Sequence, residues 1–149
     1  MEKLERIIFV GRSGTCREPM AMGILKDLAL KDEVEIIARG LVVSFPEPMN
    51  GKAEAVLISN GITLEDFVSK PLTNEDITEN TLILTMERKQ KQKVFDNFEN
   101  THVENVYTLT DFVGDELEIL DPYGGTLQSY GLCYESLRKS LKKLVKILN

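Results

Sequence analysis

Cysteine and histidine are scarce in this chain of 149 residues, which contains two cysteines and one histidine. Cys16 and Cys133 lie far apart and outside any Cys-x-x-Cys pair, so the sequence indicates neither a disulfide framework nor a zinc site. His102 lies in the polar stretch ENTHVEN without cysteine or carboxylate partners at ligand spacing, which favours a solvated loop residue. We therefore expect no bound metal.

Long apolar runs and a positive net charge are also missing. No apolar segment approaches the length of a membrane span or of a signal-peptide core, and the chain opens with the charged residues MEKLER. The formal net charge is −6, so the surface as a whole repels nucleic-acid backbones and anionic membranes. We expect a soluble, cytoplasmic protein that binds neither nucleic acid nor membrane.

The apolar pattern that is present predicts an α/β fold. Apolar runs alternate with segments of helical period, as in a parallel sheet covered on both faces. The predicted strands cover 6–10, 34–38, 81–85 and 104–108. The predicted helices cover 19–30, 48–59, 87–97 and 126–148, with a short helix in LTNEDI at 72–77. We expect one three-layer domain, residues 1–149, with a four-stranded parallel sheet between helices.

Residues 11–17, GRSGTCR, follow the first predicted strand and precede a helix. Small residues leave backbone N–H groups uncovered there, while the helix N-terminus, Arg12 and Arg17 add positive charge. Ligands of an open parallel sheet bind at the carboxyl ends of its strands, so this loop is predicted to bind an anion. Neither GxxxxGK[ST] nor GxGxxG is present, and we expect no nucleotide and no cofactor. The same surroundings predict a lowered pKa for the Cys16 thiol.

A second polar segment, DPYGG at 121–125, has the composition of a turn. Aspartate begins turns, proline presets φ, and glycine accepts a positive φ. If this loop lies at the same edge of the sheet as residues 11–17, Asp121 can donate a proton to a leaving oxygen held there. A strand-end loop, an arginine and a distant aspartate together indicate phosphoryl transfer.

These segments resemble the low-molecular-weight protein tyrosine phosphatases, which have a C-x5-R-[ST]-P loop and a late D-P-[YFW] motif. VGRSGTCREPM at 10–20 and DPYGG match, and the similarity continues through ARGLVVSFPEPMN, SKPLTNEDI, LILTMERK and the terminal helix. The resemblance implies that fold, with Arg17 and Asp121 as catalytic residues and Asp121 as the general acid. It implies a phosphate-binding loop of Gly11, Arg12, Ser13, Gly14, Thr15, Cys16 and Arg17, and a substrate rim that includes Phe45, Glu47 and Tyr123.

The sequence departs from this family at the nucleophile. The family's nucleophilic cysteine corresponds to Gly11, and glycine has no side chain with which to form a phosphocysteine. Cys16 would need an arginine at position 22, which is Met22, and Cys133 would need one at position 139, which is Lys139. Cys16 instead matches a second cysteine that many relatives carry in the same loop.

The other departures also lie in the loop. Glu18 replaces a serine or threonine, and its charge opposes an incoming anion unless it pairs with Arg12 or Arg17 and occupies the site from within. Gly14 replaces an asparagine that has a left-handed conformation in relatives, so the loop shape can persist. Ser13 replaces a glycine and is expected either to strain the turn or to cover an amide.

We interpret the chain as a phosphatase-like protein that has lost covalent catalysis and binds phosphate or another small anion, a phosphotyrosine protein or another protein partner. The alternative is a working phosphatase that uses Arg17 and Asp121 with a non-cysteine nucleophile, such as water activated by Glu18 or Asp121. Arsenate reduction, known in enzymes of the same fold, needs two or three redox cysteines near the loop, where only Cys16 is found. The pattern does not distinguish a monomer from an oligomer.

Overall fold

The computed structural model of the chain describes residues 3–102 and 104–149. Its strands are β1 (Arg6–Gly11), β2 (Glu35–Gly40), β3 (Thr81–Thr85) and β4 (Val106–Thr108). Its helices are α1 (Arg17–Leu28), α2 (Gly51–Ser59), α3 (Arg88–Asn97), α4 (Leu109–Val113) and α5 (Leu127–Leu148). Asn74–Asp76 form a short 3-10 helix, where the sequence predicts a short helix.

The four strands form one parallel sheet in the order β2-β1-β3-β4. Gly11 pairs with Gly40, and Val10 pairs with Thr85, so the carboxyl ends of β1, β2 and β3 lie at one edge. The chain therefore leaves the central strand β1 directly into the crevice between its neighbours, where open α/β sheets bind ligands.

Helices cover both faces of the sheet. Ile7 and Phe9 pack on one face with apolar side chains of α1, α2 and α5, while Ile8 and Val10 pack on the other with Val94 of α3. This burial on both faces explains why β1 is a continuous apolar run rather than an alternating pattern. The predicted α/β architecture is confirmed.

Several elements begin or end at other residues than predicted. Helix α2 begins at Gly51 rather than at residue 48, because the Asn50 side chain accepts hydrogen bonds from the N–H groups of Lys52 at 3.0 Å and Ala53 at 3.1 Å. Strand β2 continues to Gly40 because it pairs with the end of β1. Helix α4 was not predicted, since its five residues are too few to show a helical period.

In residues 3–102 and 104–149, none of the helices combines the length and the apolar composition that crossing a bilayer requires.

Candidate active site

The side chain of Glu18 lies inside the loop between β1 and α1. A Cβ atom added to Gly11 would lie 2.5 Å from Glu18 Cδ and closer still to Oε2. The Gly14 N–H donates a hydrogen bond of 2.6 Å to Glu18 Oε2. Glu18 is only 2% exposed, so its carboxyl fills the space that a side chain at position 11 would need. Among the described residues Glu18 pairs with this amide rather than with Arg12 or Arg17, which corrects the sequence interpretation.

Burial has a direct electrostatic effect on Glu18. It raises the pKa of this carboxyl above its ordinary value of 4.5, and the nearby Asp121 raises it further. The hydrogen bonds from its own N–H and from the Gly14 N–H, together with the Arg17 guanidinium, oppose this increase without cancelling it. The native chain therefore holds a proton on Glu18 at pH values where the unfolded chain has lost it.

Replacing Glu18 by glutamine should change how stability depends on pH. Because the native pKa is raised, the stability that Glu18 contributes is fully present below about pH 4.5 and falls as the pH rises through the native pKa. Glutamine keeps an oxygen for the Gly14 N–H and does not titrate. The free energy of unfolding of Glu18→Gln, relative to the unmodified chain, should thus increase as the pH rises from about 4.5 to the native pKa, by at most about 1.4 kcal/mol per pH unit. Urea unfolding at several pH values measures this difference, and parallel profiles would contradict it.

Ser13 and Gly14 determine the rest of the loop geometry. Gly14 has φ +76°, the left-handed conformation predicted for this position. The Ser13 hydroxyl oxygen accepts a hydrogen bond of 3.2 Å from the Thr15 N–H, which confirms that Ser13 covers an amide. The amides of Gly14 and Thr15, two of the predicted anion donors, are therefore already bonded to groups of the chain itself.

Arg17 is buried at the start of α1, and its guanidinium is held by three distant groups. Its Nη1 donates to the Ile119 carbonyl oxygen at 2.7 Å, and its Nη2 donates to Glu87 Oε2 at 2.8 Å. Asp121 Oδ2 lies 3.7 Å from Nη2. Burial disfavours the charged guanidinium, but the bond to Glu87 and the charges of Asp121, Glu18 and Glu87 outweigh it, so the pKa of Arg17 is raised.

Asp121 lies beside Arg17, as the sequence predicts, and also belongs to a turn. Its side chain is 44% exposed, and its Oδ1 accepts a hydrogen bond of 3.1 Å from the Tyr123 N–H. The Gly125 N–H donates to the Pro122 carbonyl oxygen at 2.8 Å, which closes the turn. The Asp121 carboxyl is thus partly exposed next to a buried arginine, and its role as general acid stays a prediction.

Sequence reasoning missed two of the groups that hold Arg17. Glu87 lies two residues after the end of β3 and directly before α3, and a carboxylate near the carboxyl end of a strand in a parallel sheet was the available signal. Burial raises the pKa of Glu87, but the hydrogen bond and charge of Arg17 lower it overall. The Ile119 carbonyl had no signal, because every residue carries one.

Arg12 and the predicted rim residues face solvent. Arg12 is exposed, whereas Arg17 is buried. Phe45 is 64% exposed and Glu47 is exposed, and Tyr123 is 78% exposed after Asp121. Their exposure is compatible with a substrate rim, which stays a prediction.

The predicted lowering of the Cys16 pKa is wrong. Cys16 is only 4% exposed, and burial raises the pKa of its thiol, with further increases from Cys133, Glu18 and Asp121 and a smaller opposing effect of Arg17. Desolvation therefore outweighs the opposing charge of Arg17. A neutral, enclosed thiol is a poor nucleophile, so Cys16 does not replace the side chain missing at Gly11.

The sequence and the fold were compared with known proteins. Residues 6–149 match the family described as low molecular weight phosphotyrosine protein phosphatase. The chain is 35% identical over 147 residues to the protein-arginine-phosphatase of Bacillus subtilis (strain 168), with 95% of each chain covered. It is 30% identical over 139 residues to the low molecular weight protein-tyrosine-phosphatase PtpB of Staphylococcus haemolyticus, covering 93% of this chain and 96% of that one.

Among solved structures, the YwlE arginine phosphatase of Geobacillus stearothermophilus superposes with a TM-score of 0.88 at 30% identity, covering 97% of this chain and 92% of that one. The resemblance inferred from the two motifs is therefore confirmed, and the chain belongs to the low molecular weight phosphotyrosine protein phosphatase family.

Proposed function

We propose that this chain is a member of the family that has lost covalent phosphatase chemistry and acts as a binding domain for a protein partner. The observation that carries the proposal is the Glu18 carboxyl, which fills the space beside Gly11 and accepts the hydrogen bond of the Gly14 amide. Glycine supplies no nucleophile, and the family's route through a phosphocysteine cannot begin there.

The groups that would hold a phosphate favour a protein partner over a small anion. The amides of Gly14 and Thr15 already have acceptors, and Arg17 is bonded to Ile119 and Glu87. The carboxyl groups of Glu87 and Asp121 lie 2.8 Å and 3.7 Å from this arginine, and a phosphate dianion would meet their negative charge. We therefore expect free phosphate and phosphorylated side chains to bind weakly.

A second candidate function is phosphate-ester hydrolysis with Glu18 as nucleophile. It is favoured by the position of Glu18 Oε2, which lies where a side chain at position 11 would project, and by the distance of 3.7 Å between Arg17 and Asp121. A Glu18 oxygen would attack phosphorus, and the leaving oxygen would take a proton from Asp121. Water would then hydrolyse the resulting acyl phosphate. The phosphorylated side chains suggested by the relatives are phosphoarginine and phosphotyrosine.

Hydrolysis of p-nitrophenyl phosphate and of a phosphoarginine peptide distinguishes the two candidates. We expect rates near the uncatalysed background and no burst of product, because no side chain at position 11 can be phosphorylated. Glu18→Gln is the matched control, since it keeps the shape and removes the nucleophilic carboxylate. Turnover that is present in the unmodified chain and lost in Glu18→Gln would overturn the first candidate and support the second.

A further inference from the structure

A groove of about 1230 Å³ runs along the protein beside the candidate active site. Residues 114–125, the loop between α4 and α5, form one wall, and α5 residues from Ser129 to Ser140 form the other. Asp121, which lies 3.7 Å from Arg17, is one of the lining residues. The groove therefore adjoins the part of the site that contains Asp121.

Large apolar side chains line this groove and are open to solvent. Leu117 and Leu120 are each 82% exposed, Tyr123 is 78% exposed, and Leu132 of α5 is 63% exposed. Isolated exposed leucines are ordinary, but several on one concave surface are typical of a surface that binds another molecule. Because they lie on both walls, apolar side chains of a bound segment could pack against them from either side.

The groove is also negatively charged. Its charged lining residues are four carboxylates and two cations, which are Asp115, Glu116, Glu118 and Asp121 against Arg88 and Lys139. Ion-pair partners outside the lining add the carboxylate Asp111 and the cations Arg17 and Lys143. Arg88 is occupied by Asp111 at 2.8 Å and by Glu118 at 3.4 Å, and Lys143 is occupied by Asp115. Glu116 is exposed and Asp121 is 44% exposed, so both can meet a cation from a partner.

We propose that this groove binds a cationic, extended segment of a partner protein, in which arginine or lysine alternates with leucine-sized apolar side chains. The proposal names the class of partner and rests on the proposed function. Apolar side chains of the segment would pack against Leu117, Leu120 and Leu132, while its cations would lie near Glu116 and Asp121. Acidic or phosphorylated segments are disfavoured, because like charges across an interface repel each other.

The test uses fluorescein-labelled peptides of repeated Arg-Leu-Ser units and the full chain, with binding measured by fluorescence anisotropy. We expect saturable binding that weakens as salt is added and is lost when glutamate replaces arginine. Glu116→Lys combined with Leu120→Ser should weaken binding at least about tenfold. The matched control is Glu54→Lys combined with Ile58→Ser, which changes an exposed acid and an exposed apolar residue on α2 and should leave binding unchanged.

Three results would overturn the proposal. They are equal binding of the glutamate peptide, equal weakening by the control variant, and no binding of the arginine peptide to the unmodified chain. Sedimentation of the free chain tests whether a second copy of the chain fills the groove instead. A dimer that Leu120→Ser dissociates would show this and would also overturn the proposal. None of these results depends on phosphate hydrolysis, so this proposal and the proposed loss of catalysis fail independently.

Discussion

Gly11→Cys alone is expected to leave the protein almost inactive, whereas Gly11→Cys with Glu18→Ser should exceed it by at least about a hundredfold in kcat/KM on an aryl phosphate. The first reason is steric, because a Cβ at position 11 would lie 2.5 Å from Glu18 Cδ. The second is electrostatic, since Glu18, once ionised, opposes a thiolate or a dianion at about 6 Å by about 3 kcal/mol at an effective dielectric constant of about 20. Because burial raises the Glu18 pKa, this second obstacle grows as the pH rises. Serine removes both obstacles and supplies the family's hydroxyl.

The comparison uses p-nitrophenyl phosphate at neutral pH, with folding checked by thermal unfolding. Gly11→Ala with Glu18→Ser is the blank, because it opens the same space without a thiol. Gly11→Cys with Glu18→Gln separates charge from space, since glutamine removes the charge and leaves the bulk. Equal rates for the single and double cysteine variants would show that Glu18 moves aside freely and that the missing cysteine is the sole defect.

Arg17→Met is expected to lower the free energy of unfolding by about 3 kcal/mol or more. Arg17 is 2% exposed and joins the start of α1 to Glu87 and to the Ile119 carbonyl. Its removal leaves these acceptors without their donor, and such unpaired buried groups are costly. Arg12→Met is the matched control, because Arg12 is exposed in the same loop and should change stability by no more than about 0.5 kcal/mol.

Urea unfolding of both methionine variants provides the measurement, with the midpoint and slope compared. Arg17→Met combined with Glu87→Gln should recover part of the loss, since the uncompensated carboxylate is then gone. Similar losses for Arg17→Met and Arg12→Met would mean that the buried network contributes little to stability.

The sequence by itself determined the architecture and showed a glycine at the position of the family's nucleophilic cysteine. A central strand of a parallel sheet is buried on both faces, so Ile7 to Val10 form a continuous apolar run. This run predicts the strand without a structure. The absence of a nucleophile at Gly11 is likewise a property of one residue in one motif. The short helix α4 and the end of β2 could not be predicted from the sequence. Strand pairing and packing determine where these elements begin and end, rather than local residue preference.

The tertiary structure alone decided how the charges of the site are used. Glu18 turns toward the Gly14 amide because Gly11 leaves space there, and no local pattern distinguishes that choice from a pair with an arginine. Arg17 binds groups that lie 70 and 102 positions along the chain, and Cys16 is neutral because the assembled core removes it from water. Burial governs the strength of each of these interactions, and a side chain becomes buried only once distant segments have packed together.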